Sequence, residues 1–196
     1  MKVVTVLFAL LASSPLGAQQ VPIDTFRSMV TIHVYKSGLF SGFAHDHTVK
    51  APLASGTLNV EQRTLALTFN AKDMKIADNE GSDSEHQEVE ATMKGPKVLD
   101  AERFPQISFK STGTTATSDE RYQVTGELSL HGTTRAITVP VMLEKGRYIG
   151  STHLKQTDFG ITPVRIAGGT VKVKDEVEMS FEVVPTTPPS GPAPAR

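Results

Sequence analysis

From Tyr122 to His131 the chain alternates without a break. Tyr122, Val124, Gly126, Leu128 and Leu130 share one parity; Gln123, Thr125, Glu127, Ser129 and His131 share the other. Successive side chains of a strand point to opposite faces, so this reads as one strand with an apolar side and a wet side. The pattern recurs along the chain. Val30, Ile32 and Val34 alternate with Thr31 and His33; Leu58 and Val60 with Asn59; Leu65, Leu67, Phe69 and Ala71 with Ala66, Thr68 and Asn70. Ile107 and Phe109 follow Pro105. After the turn His131-Gly132-Thr133-Thr134 come Ile137, Val139, Val141 and Leu143, and near the end Val177, Met179, Phe181 and Val183. One apolar face per strand predicts a mainly β domain, a curved antiparallel sheet closing on its own core. Periodicity alone leaves sandwich and barrel open. Pro140 has no N–H to give a ladder, so its strand is expected to be an edge or to bulge there.

One stretch changes period. Ser84 with Gln87 three residues on reads as a helix N-cap and its capping-box partner. His86, Val89 and Met93 then recur at helical spacing, and Gly95-Pro96 ends the run. The prediction is a single short helix over 84–94, a lid or plug on the sheet. The acidic loop 78–83 before it lacks the ligand spacing of a calcium-binding EF-hand.

The ends are punctuation around one domain. Lys2, the apolar run Val3 to Ala12 and the small residues at Leu16-Gly17-Ala18 read as a secretory signal peptide over 1–18. The run is too short for an ordinary membrane-spanning helix. From Pro185 the sequence PTTPPSGPAPAR predicts a disordered Pro-rich tail over 185–196. The domain is then 21–184, periplasmic or secreted. With no cysteine there is neither a disulfide framework nor a thiolate site. The 20 basic and 21 acidic side chains form no basic run, so nothing here points to nucleic acid.

Two long strings carry a resemblance. They are Phe104-Pro105-Gln106-Ile107-Ser108-Phe109-Lys110-Ser111 and Gly126-Glu127-Leu128-Ser129-Leu130-His131-Gly132, with Thr157-Asp158-Phe159-Gly160-Ile161 after them. In this order they resemble the YceI-like family of exported lipid-binding proteins, over nearly the whole mature domain. The resemblance implies an extended, lipocalin-like antiparallel barrel around an apolar tunnel. The tunnel would hold a polyisoprenoid, a quinone-like lipid or another amphiphilic chain. Val30, Ile32, Leu67, Phe69, Phe109, Leu128 and Val139 would line it, although a packed core would need the same residues. Phe159 is expected as an apolar anchor at its mouth or as core.

The stretch around His45-Asp46-His47 departs from that family pattern. If it is a strand, Phe43, His45, His47, Val49 and Ala51 share one face. Four readings stay open for His45 and His47: a divalent transition metal such as zinc, copper or nickel, a cradle for a lipid head group, acid–base catalysis, or hydrogen bonds within the wall. A metal would need a third ligand, with His33, His153 or a carboxylate as candidates. No nucleophile setting or phosphate loop accompanies them. His131, on the outward parity, is expected to bond backbone. The expectation is a non-enzymatic, exported carrier of an amphiphilic lipid with no required cofactor. Its rival is a metal-binding periplasmic protein using His45 and His47.

Overall fold

The computed structural model describes residues 20–37, 46–78, 81–166 and 171–187. The strands are β1 (Gln20–Pro22), β2 (Met29–Ser37), β3 (His47–Asn59), β4 (Thr64–Asn70), β5 (Lys75–Ile76), β6 (Gln106–Ser118), β7 (Arg121–Leu130), β8 (Thr133–Glu144), β9 (Arg147–Lys155), β10 (Arg165–Ile166) and β11 (Val171–Val183). The helix is α1 (Asp83–Lys94). The sheet runs β3-β2-β11-β9-β8-β7-β6-β4, and β4 pairs back onto β3. Eight antiparallel strands therefore close a barrel, as the resemblance implies, and each strand's apolar parity faces inward. The three hairpins β3–β4, β6–β7 and β8–β9 turn at one rim. The β7–β8 turn and β5, which leads into α1, lie at the other.

Two close approaches depend on glycine. A β-carbon at Gly126 would stand 2.4 Å from Phe109 Cζ and 2.7 Å from the Lys110 carbonyl oxygen. One at Gly150 would stand 2.2 Å from the Pro140 carbonyl oxygen and 2.6 Å from Phe181 Cζ. The second contact explains the barrel's thinnest seam. The Pro140 carbonyl points toward β9, so its missing N–H lies on that edge as well. The β7–β8 ladder accordingly runs through Gln123↔Pro140, whereas β8–β9 has only Met142↔Ile149, Leu143↔Tyr148 and Glu144↔Arg147. Beyond them an opening forms between Arg135–Thr138 on one side and Thr152–Lys155 on the other. The strand carrying Pro140 is thus an edge over most of its β9-facing length.

The helix begins one residue earlier than expected, under a different cap. Ser82 Oγ accepts from Glu85 N at 3.3 Å, and Ser82 N donates to Glu85 Oε2 at 2.7 Å. A carboxylate in that position accepts more strongly than the amide of Gln87, which selects Ser82 over Ser84. The expected face survives: His86, Val89 and Met93 are half-buried. No helix among the described residues is long and apolar enough to cross a membrane.

At the C-terminus the fold runs past the expected end at Val184. Pro185 bridges Ile23, and Thr186 N donates to the Pro22 carbonyl at 2.9 Å. Ser28 locks the same corner. It is 1 % exposed, and its Oγ accepts from Val184 N at 2.9 Å. Ser28→Ala leaves that buried amide unpaired. The expected loss is about 1–3 kcal/mol of unfolding free energy in a denaturant titration, with an unchanged m-value. The expected signal peptide over 1–18 and residues 188–196 of the expected tail lie outside the described residues.

Candidate ligand cavity

Inside the barrel is a cavity of about 490 Å³, in the roughly 300–1,000 Å³ range of small-molecule sites. Val30, Ile32, Leu67, Phe69, Phe109, Leu128, Val139 and Phe159 all line it. Seven of these are inward-parity strand residues and the eighth, Phe159, comes from a turn, so strand alternation and turn together surround one space. Val34, Val49, Leu65, Ile107, Val124, Ile137, Leu154, Met179 and Phe181 extend the same surface. Such a lining offers a long apolar chain dispersion contacts and removal from water, but few directional bonds.

The far rim is closed by α1 and the connections beside it. Met93, Val98 and Leu99 line the cavity there. So does Phe159, in the 3-10 turn Gln156–Phe159, with 2 % of its surface exposed. One histidine and one aspartate fasten this turn. His131 Nδ1 donates to the Phe159 carbonyl at 3.1 Å while its ring meets Phe104 edge-on at 5.1 Å. His131 does bond backbone, although of Phe159 rather than of its own turn. Asp175 accepts from Thr157 N at 2.9 Å and from Thr157 Oγ1 at 2.7 Å. The Thr157 hydroxyl and then its amide hold the Asp175 carboxyl below its ordinary 3.8, with the Lys155 charge assisting. A depressed acid stabilises the fold above its unfolded pKa and loses that contribution as pH falls through the folded value. The Asp175→Asn variant is therefore expected to show a shallower decline in Tm than the parent as pH falls below about 3.8.

The histidine stretch lands elsewhere. Phe43 and His45 lie outside the described residues. His47, the first residue of β3, does not line the cavity. Its Nδ1 donates to Asp78 Oδ2 at 2.6 Å, and the other oxygen of Asp78 accepts from Thr48 N. Asp46 lies ahead of the strand and accepts from Lys36 N at 2.8 Å. His33 pairs with Thr48 on β3 and with Glu178 on β11, which in turn pairs with His153 on β9. His33 and His153 thus belong to the row of Thr48, on the face opposite His47. Among the described residues no group of three or more His, Asp or Glu side chains could hold a metal ion. The Asp78 contact spans 31 positions of sequence, and no spacing rule announces it.

The hairpin rim carries polar groups that sequence reasoning did not single out. Val60, Arg63, Thr114, Tyr122 and Tyr148 line the cavity there. Arg63 sits in the β3–β4 turn with φ of 52°, its carbonyl accepting from Thr114 Oγ1 at 2.9 Å. Burial, and then the neighbouring Tyr122, push the Tyr148 phenol above its ordinary 10.0. Tyr122 had a visible signal in its inward parity. A turn arginine has none.

The YceI-like domain pattern matches residues 22–184. The chain belongs to the YceI-like family. A UPF0312 protein of Vibrio parahaemolyticus is 27 % identical over 182 residues, covering 87 % of this chain and 93 % of that one. A second UPF0312 protein, from Vibrio campbellii, is 27 % identical over 134 residues, 63 % of this chain and 69 % of its own. Among solved structures, Burkholderia cenocepacia BcnA superposes with a TM-score of 0.60 at 18 % identity, covering 82 % of this chain and 98 % of that one. At that identity the likeness concerns the fold alone. It is the barrel fold that the strand pairing of this chain describes.

Proposed function

We propose that this YceI-like protein is an exported, non-enzymatic carrier that encloses the chain of an amphiphilic lipid, of isoprenoid or quinone-like type. The observation that carries the reading is the apolar cavity, lined from one rim of the barrel to the other by inward-facing side chains. A domain meant only to display a surface would fill that volume, because protein interiors are otherwise close-packed. The opening between β8 and β9 adds support. Ile137, Leu154, Lys155 and Phe159 border both it and the cavity, so a flexible chain has a lateral way in. The leader-like N-terminus fits an exported, periplasmic protein that meets lipids outside the cytoplasm.

The test is reconstitution. Purified protein mixed with solvent-extracted isoprenoids is expected to bind them at one chain per barrel. Absence of binding across that lipid class contradicts the carrier reading. The metal alternative retains one observation, that Asp78 holds His47 by Nδ1, the way carboxylates orient metal-bound imidazoles. Elemental analysis of the parent and a His45→Ala/His47→Ala double variant decides it: equal metal content in the two eliminates this site.

A further inference from the structure

We propose that the hairpin rim is the head-group end of the cavity and that Arg63, Tyr122 and Tyr148 there recognise an anionic head, a carboxylate or phosphate. This rests on the carrier reading above and assigns its polarity: the apolar tail runs toward Phe159, the charged head stays at the β3–β4 turn.

The polar groups on the cavity wall differ in how far they are already engaged. At the far rim the lining includes Lys155 and Gln156. Gln156 Nε2 donates to the Lys174 carbonyl at 2.8 Å, so that donor is used. Lys155 stands opposite Glu176 across the β9–β11 ladder, and its charge acts on Asp175. Lys155 forms no salt bridge among the described residues, but an anionic head at that rim would approach the Glu176 and Asp175 carboxylates together with the cation. The hairpin rim is different. Among the described residues the Arg63 guanidinium has no ion pair and no hydrogen bond, and neither has the hydroxyl of Tyr122 or Tyr148.

A guanidinium is charged at every physiological pH and presents a planar fork that fits carboxylate and phosphate oxygens in pairs. A phenol that stays protonated can only add a donor toward an anion, and burial favours protonation of Tyr148. Placing these donors at the mouth of an otherwise apolar tunnel matches the usual design of lipid sites, in which the walls give affinity and a few polar groups fix direction. Arg63 is exposed and its turn is held through its carbonyl, so changing the side chain leaves that hydrogen bond in place. The fork also explains what would count against a neutral ligand. A neutral head leaves the guanidinium hydrated and gains little from it.

The experiment compares three probes of one chain length, tetradecanoate, tetradecyl phosphate and tetradecan-1-ol, each below its aggregation concentration at neutral pH. Binding is measured by calorimetry on the parent, Arg63→Gln, Arg63→Lys, Lys155→Gln and Tyr148→Phe. The parent is expected to favour both anions over the alcohol by at least tenfold, with the margin shrinking as salt rises. Arg63→Gln is expected to erase the margin without weakening alcohol binding; Arg63→Lys restores part of it, and Tyr148→Phe reduces it. Lys155→Gln is expected to keep it. Equal binding of anions and alcohol by the parent overturns the head-group assignment while leaving the carrier reading standing. A margin that survives Arg63→Gln, or disappears in Lys155→Gln, also overturns it. Failure of all three probes to bind overturns both.

Discussion

Phe159→Ala lowers the unfolding free energy by about 3–5 kcal/mol, the usual cost of truncating a buried phenylalanine. In a domain of this size that corresponds to a drop in Tm of roughly 6–20 °C. The size of the effect follows from where the ring sits. It is 2 % exposed, at the end of a short 3-10 turn whose own hydrogen bonds are few. The turn is fastened by its neighbours, through the His131 contact to the Phe159 carbonyl and the Asp175 contacts to Thr157. Losing the ring leaves those polar ties holding a turn with little left to bury. It also widens the opening beside β9, because Phe159 borders both the cavity and that gap. Differential scanning calorimetry measures the shift. A variant as stable as the parent would mean that this turn does not close the barrel's far rim.

Leu128→Trp is the complementary change. Leu128 stands on the inward face of β7, paired with Phe109 on β6 and facing the cavity. A larger ring there enters empty volume instead of forcing packed neighbours apart, so Tm is expected to hold or rise. The cavity it fills is the space the tail needs. Affinity for a long-chain lipid is expected to fall at least tenfold, about 1.4 kcal/mol of binding free energy. Equilibrium binding of an extracted isoprenoid to both proteins checks this, with calorimetry confirming that the variant is folded. Unchanged affinity in a folded variant would place the ligand outside the barrel.

These two residues show what was legible in the sequence. The period-two pattern needs only neighbouring side chains, and so Tyr122 to Leu130 read as a strand with its inward face correctly assigned. Closure into a barrel followed from the family resemblance and is realised by the pairing of β3 with β4. Pro140 announced an edge because the lost donor is local chemistry; which neighbour it would face was not local. The helix cap was displaced by two residues because two serines, each with a box partner three positions on, competed in one short stretch, and the carboxylate won. His47 shows the limit most clearly. Its chemistry is decided by Asp78, brought in by a tertiary contact between β3 and the segment after β5. Arg63 was passed over for the same reason, since a turn residue acquires its meaning only when the rim of a closed barrel surrounds it.

Lipid carriage is tested most simply by native mass spectrometry of the protein gently purified from its own cells. One copy of a long-chain amphiphile is expected per polypeptide, released on denaturation and identifiable by its mass. Protein that arrives empty, and stays empty after exposure to the extracted membrane lipids of those cells, would contradict lipid carriage.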